Sequence, residues 1–117
     1  MSEGTSQPFT VQQAGDVTIV RFAGPKLGLG AKEALYDLVE TQGHRQLVLN
    51  FASVQYLSSA PIGMLVSLKN RAEAAGGSVR LCLLDPDVTE ILRITAVLKL
   101  FSLHETEQAA IDSYRGP

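Results

Sequence analysis

The chain has 117 residues, 45% of them hydrophobic and 6% aromatic, which suits one core and leaves no length for two ordinary domains. Ten basic against twelve acidic residues give a formal charge of −2, so neither a nucleic-acid backbone binder nor a polybasic membrane-surface protein is expected. The apolar content also excludes intrinsic disorder.

Residues 1–8 are polar and read as a flexible tail before a single domain over residues 9–117. The tail holds no apolar segment of a secretory leader, and no stretch reaches the ~18 apolar residues that a membrane span needs. Neither end carries a lipidation motif. The expected compartment is the cytoplasm.

Phe9 to Gln13 and Val17 to Phe22 are apolar runs separated by Ala14-Gly15-Asp16, the pattern of a β-hairpin. The segment Gly24-Pro25-Lys26-Leu27-Gly28-Leu29-Gly30 follows. It lacks the Lys-Ser/Thr of a phosphate-binding P-loop and reads as a loop feeding a helix. That helix is expected over Ala31 to Thr41, with Leu35, Leu38 and Val39 on one stripe and Gly43 as its stop.

Gln46 to Phe51 is a nearly continuous apolar run, as in a strand covered on both faces. Ala52 to Ser59 reads as a connection. Pro61 to Ala75 is a strong helix whose Leu65, Leu68, Ala72 and Ala75 form a stripe, ended by Gly76-Gly77. Val79 to Leu84 is the next strand. Asp85-Pro86 opens a helix, with Asp85 as the capping acceptor and Pro86 in the first turn. A short strand over Leu100 to Leu103 and a closing helix over Glu105 to Tyr114 complete the order ββαβαβαβα. This is an α/β fold with a mixed central sheet of about five strands and about four helices.

No catalytic constellation emerges. Cys82 lies mid-strand among leucines and reads as a buried inert thiol. With one thiol, His44 and His104 do not make a zinc site, nor does either histidine sit in a triad pattern. Asp85 and Asp87 are spaced as capping acids. Lys69, Arg71 and Arg80 form no basic run. No enzyme, cofactor or metal is expected.

The segment Leu47-Val48-Leu49-Asn50-Phe51 followed by Leu57-Ser58-Ser59-Ala60-Pro61, the helix end Ala74-Ala75-Gly76-Gly77 and the stretch Leu92-Arg93-Ile94-Thr95-Ala96-Val97 carry a resemblance. Together they resemble the STAS domain, the SpoIIAA-like fold of the bacterial anti-sigma-factor antagonists, over about Phe9 to Tyr114. The family pattern has Asp where this chain has Leu57, and Gly where it has Ala60 and Ala96.

The resemblance implies a mechanism. An unphosphorylated antagonist binds an anti-sigma factor that is also a serine kinase of the histidine-kinase-like ATPase fold, and so frees the sigma factor. Phosphorylation of the motif serine ends binding, and a serine phosphatase reverses it. Carried over, Ser58 is the candidate acceptor, with Ser59 beside it. The partner surface is expected at Leu57, Ser58, Ser59, Pro61, Ile62 and Met64, with Pro61 and Met64 partly exposed. A bland reading competes for the serines, namely N-capping of the helix, worth about 1 kcal/mol. The resemblance further implies a monomer or weak dimer. Two other functions are open: a STAS scaffold module of a signalling or transporter-associated assembly, and a weak nucleotide-binding domain using the Gly24 to Gly30 loop.

Overall fold

A computed structural model describes residues 8–115. The chain runs β1 (Phe9–Ala14), β2 (Val17–Phe22), β3 (Lys26–Leu27), α1 (Lys32–Glu40), β4 (Gln46–Asn50), β5 (Tyr56–Leu57), α2 (Ser59–Ala74), β6 (Ser78–Cys82), α3 (Pro86–Ile94), β7 (Ser102–His104) and α4 (Glu107–Arg115). Five strands form one sheet in the order β1-β2-β4-β6-β7. The first pair is antiparallel and all the others are parallel. This is the mixed α/β architecture expected from the sequence. Of the expected tail, residues 1–7 lie outside the described residues. Pro8 lies within them, and its carbonyl accepts from the Ala23 N–H at 3.0 Å.

Strand alternation sorts the core into two layers. Val20, Phe22, Leu47, Leu49, Val79 and Leu81 face α1, α2 and α3 and bury against Leu35, Leu65, Leu68 and Leu92. Val17, Ile19, Val48 and Cys82 face the other way and bury against Ala110 and Ile111 of α4. The central strands are therefore apolar on both faces, which explains their continuous runs. Burial pushes the Cys82 thiol up to about 12, so it stays protonated and inert.

Several boundaries differ from expectation for local reasons. The Ala52 to Ser59 connection contains β5, which pairs in parallel with β3. Helix α2 opens at Ser59 rather than Pro61. Pro61 is third in the helix, where a backbone N–H has no intrahelical acceptor, so its missing donor does no harm. Leu98–Leu100 forms a 3-10 turn, which shifts the last strand to Ser102–His104. Helix α4 starts at Glu107 because the Thr106 side chain caps it, accepting from the Ala109 N–H at 3.0 Å. Asp85 caps α3 as expected, its Oδ1 accepting from the Asp87 N–H at 2.8 Å.

The end of α3 carries stored strain. Val97 N–H donates to the Leu92 carbonyl at 2.9 Å and Ala96 N–H to the Arg93 carbonyl at 3.0 Å, the two bonds of a Schellman cap. That cap needs a left-handed residue, and Ala96 supplies it at φ 63°. Alanine meets a steric penalty there that glycine escapes. Ala96→Gly is therefore expected to stabilise the fold by about 0.5–1 kcal/mol, read as a higher urea midpoint at unchanged slope. An unchanged or lower midpoint would show that the cap holds no strain.

Candidate functional site

The site is built at the carboxyl end of β4. Asn50, only 8% exposed, ends the strand, and its Oδ1 accepts from the Ala52 N–H at 2.8 Å. The chain turns there, with Val54 N–H donating to the Phe51 carbonyl at 2.9 Å. Phe51 and Val54 are buried and anchor the loop. Gln55 and Tyr56 then both donate their N–H groups to the Pro25 carbonyl, at 2.7 and 3.0 Å. These bonds seat β5 beside β3, with Leu57 opposite Leu27. The Gly24 to Gly30 segment, expected as a loop feeding a helix, contains β3 and is thereby placed against the serine loop. Gly24, at φ 80°, makes the turn that allows it.

Ser58 occupies the N-cap position of α2 with extended dihedrals, φ −94° and ψ 179°. Its hydroxyl makes no capping hydrogen bond to the helix. The capping explanation for this serine is thus corrected: its position is that of a cap and its side chain does not cap. Ser58, Ser59 and Ala60 are all exposed, and Gly63 follows on the same outer side of the helix. The N–H groups of Ser58, Ser59 and Ala60, at the start of α2, lack intrahelical acceptors and lie at this loop, Pro61 having no N–H to add.

The structure separates the six residues expected to form a partner surface. Ser58 and Ser59 are exposed. Leu57 is 2% exposed, Ile62 6% and Met64 3%, and Pro61 is buried as well. The expected partial exposure of Pro61 and Met64 is therefore corrected. Pro61, Met64, Leu65, Leu68 and Ala72 stand at i, i+3, i+4, i+7 and i+11, one helical stripe directed at the sheet. These side chains serve the site from beneath, as a fixed platform under the two serines.

The replaced glycine at Ala60 also finds an explanation. Among the described residues only Leu83 and Ala96 hold positive φ without being glycine, so Ala60 needs no left-handed freedom. It lies inside α2, where alanine is the better residue.

Sequence reasoning missed the exposed neighbours of the loop. Tyr56 on β5 is 54% exposed, and Lys26 on β3 places its ammonium 5.8 Å from that ring's centroid. Leu29 is 50% exposed in the 3-10 turn that packs against α2. Two-residue strands carry no period in the sequence, so nothing in the residue pattern marks Lys26 or Tyr56 as partners of Ser58. The serine loop offers no metal-ligand set. Among the described residues no group of three or more His, Cys, Asp or Glu side chains is gathered.

An ion-pair cluster supports the site from behind. Arg21 on β2 donates Nε to Glu107 Oε2 at 2.8 Å and Nη2 to Oε1 at 2.6 Å. Asn50 Nδ2 donates to the same Oε2 at 2.7 Å. These donors, Arg21 foremost, hold the Glu107 carboxyl below the usual carboxylate range, with burial opposing them. The cluster joins β2, the end of β4 and the first turn of α4, and through Asn50 it reaches the backbone that turns toward Ser58.

The family model of the STAS domain matches residues 8–110, almost the whole described chain. The chain belongs to the STAS domain family. BtrV of Bordetella bronchiseptica, a protein named for an assigned role as anti-sigma factor antagonist, is 27% identical over 74 residues. That match spans 63% of this chain and 64% of BtrV, less than two thirds of the relative's length. An anti-sigma-factor antagonist (STAS) domain protein from Planctomyces limnophilus superimposes with a TM-score of 0.82 at 18% identity, over 92% of this chain and 98% of that one. The antagonist SpoIIAA of Bacillus, in its unphosphorylated form, gives a TM-score of 0.76 at 22% identity, over 93% and 97% of the two chains. The STAS resemblance carried by the Leu57 to Pro61 motif and by Ala74 to Gly77 is thus confirmed at the level of family and fold.

Proposed function

We propose that this STAS domain is a non-enzymatic anti-sigma factor antagonist whose partner surface centres on the exposed Ser58 loop. Its partner is an anti-sigma factor and serine kinase of the histidine-kinase-like ATPase fold. Phosphorylation of Ser58 ends the association, and a serine phosphatase restores it. Family membership and the names of the relatives support the class of function. The observation that carries the switch is the Ser58 hydroxyl, exposed and free of any capping bond at the start of a 16-residue helix.

The physics of such a switch follows from that placement. A phosphate adds roughly −1.5 to −2 charge. Beside the positive end of α2 that charge is tolerated by the fold, so modification leaves stability intact. A partner that packs an apolar or acidic surface over Ser58, Ser59, Ala60 and Tyr56 loses its contact instead. The buried Leu57, Pro61, Ile62 and Met64 keep the loop from rearranging to hide the phosphate.

Binding to the purified kinase-fold anti-sigma factor tests the reading. Ser58→Ala should bind as the wild type does. Ser58→Glu should bind at least ~100-fold more weakly, about 2.7 kcal/mol, with its melting temperature within a degree or two. Equal binding by Ser58→Glu and the wild type would remove the switch. One observation favours a second reading, a constitutive STAS binding module: position 57 holds a buried leucine in place of the family's carboxylate. Under that reading Ser58 is never modified, which peptide mapping of the protein from its native host decides.

A further inference from the structure

The two segments that form the face around Ser58 carry one charged side chain between them, and it is positive. Residues 51–68 hold no Asp, Glu, Lys or Arg, and within residues 23–31 Lys26 is the single charged residue. We propose that Lys26 selects the partner: the anti-sigma factor sets a carboxylate side chain against it, and a phosphate on Ser58 ends binding by capturing Lys26 from that carboxylate. The inference rests on the reading of the Ser58 loop as the partner surface and names the chemistry that meets it.

The register of the small ribbon places the two residues on one face. Lys26 and Leu27 of β3 lie opposite Tyr56 and Leu57 of β5. Leu27 and Leu57 are buried, so the alternate positions turn outward. Lys26, Tyr56 and Ser58 are all exposed. Ser58 keeps the extended backbone of β5, so its hydroxyl follows Tyr56 to the outer side. Two steps along a strand and one step across to its neighbour set the Cα atoms of Lys26 and Ser58 on the order of 8 Å apart. A lysine stem and a phosphoserine side chain together bridge that gap.

The lysine charge is available to a partner. Lys26 forms no ion pair among the described residues. Its ammonium rests near the Tyr56 ring, a contact that attracts the cation without neutralising it. Tyr56 and Leu29, each about half exposed, supply apolar cover beside it. Such groups exclude water when a partner docks, and an ion pair formed under them counts for more than one on an open surface. The N–H groups at the start of α2 add positive potential to the same face. An acidic partner surface is therefore attracted and a basic one repelled.

The same charge explains how modification ends binding. A phosphate brings roughly −1.5 to −2 charge, more than the single Lys26 cation. The face changes from positive to negative, and the partner's carboxylate loses its cation and meets an anion.

Binding of the full chain to the purified kinase-fold anti-sigma factor tests this. Lys26→Met keeps the stem beside Tyr56 and removes the charge, so it should bind about tenfold more weakly. Lys26→Glu should bind at least ~50-fold more weakly, and Lys26→Arg as the wild type does. Raising salt from ~0.05 to ~0.5 M should weaken the wild type about tenfold and Lys26→Met by no more than about twofold. Ser58→Glu should cost about tenfold less in the Lys26→Met background than in the wild type, because the cation it captures is already gone. Lys26→Met binding within about twofold of the wild type, or an equal cost of Ser58→Glu in both backgrounds, overturns the inference and leaves the Ser58 surface standing. A wild type that does not bind the anti-sigma factor overturns the reading of that surface, and this inference falls with it.

Discussion

Gly77→Ala should destabilise the protein by about 3 kcal/mol, a large share of the 5–15 kcal/mol available to a domain of this kind. A Cβ at Gly77 would lie 2.0 Å from the Arg45 carbonyl oxygen and 2.5 Å from its carbon. Neither atom belongs to a flexible side chain that can swing away. The same oxygen accepts from the Ser78 N–H at 2.9 Å, the bond that brings the starts of β4 and β6 together. Gly77 also donates its own N–H to the Ala72 carbonyl at 2.8 Å, closing α2. The residue is therefore fixed on both sides and cannot shift to admit a methyl group. Gly63 provides the contrast. It lies within α2 with no atom within 4 Å of an added Cβ, so Gly63→Ala should stabilise by about 0.5–1 kcal/mol. Urea unfolding of both variants checks the pair of signs. A loss below about 1 kcal/mol for Gly77→Ala would contradict the close approach.

Glu107→Gln should cost about 1–2 kcal/mol at neutral pH, and the loss should shrink in acid. Two Arg21 donors and one Asn50 donor converge on the Glu107 carboxylate, whose oxygens accept all three. A glutamine keeps the shape and offers one oxygen, so its NH₂ faces at least one of those donors. The figure stays modest because the Arg21 side chain is 40% exposed and water screens the pair. The sign with pH follows from the direction of the shift. Glu107 is held below the ordinary carboxylate value in the folded protein. Its stabilising contribution is complete above the unfolded carboxylate range and is lost as pH falls through the folded value. The wild type should therefore approach the variant as pH drops from 7 toward 3. Denaturant curves at several pH values measure the difference, and a gap constant with pH would contradict the account.

The two effects show which parts of the molecule the amino-acid pattern exposes and which it conceals. Asp85-Pro86 is legible because a cap and a first-turn proline act within three residues of each other. The core strands are legible because burial on both faces leaves unbroken apolar runs such as Leu47-Val48-Leu49. The glycine pair Gly76-Gly77 marks a helix end correctly, yet its second member is required by Arg45, far away in sequence and invisible to any local rule. The cluster of Arg21, Asn50 and Glu107 depends on three distant elements and leaves no local trace.

The site divides in the same way. Ser58 and Ser59 are found through the motif, and the structure leaves both exposed. The burial of Pro61 and Met64 was present in the i, i+3, i+4 spacing with Leu65, once the helix is allowed to begin at Ser59. The contribution of Lys26 and Tyr56 was not, because β3 and β5 are two residues long and acquire meaning only when paired. Each strand satisfies the other's backbone, and the Pro25 carbonyl, with two donors, fixes their approach.

The most direct test of the central claim is intact-mass spectrometry of the protein purified from its native host, with peptide mapping across Gln55 to Lys69. The account predicts a single phosphate on the peptide carrying Ser58, present under some growth conditions and absent from a Ser58→Ala variant. A peptide that carries no phosphate under any condition would contradict the switch, and the exposed serine would then mark a constitutive binding surface.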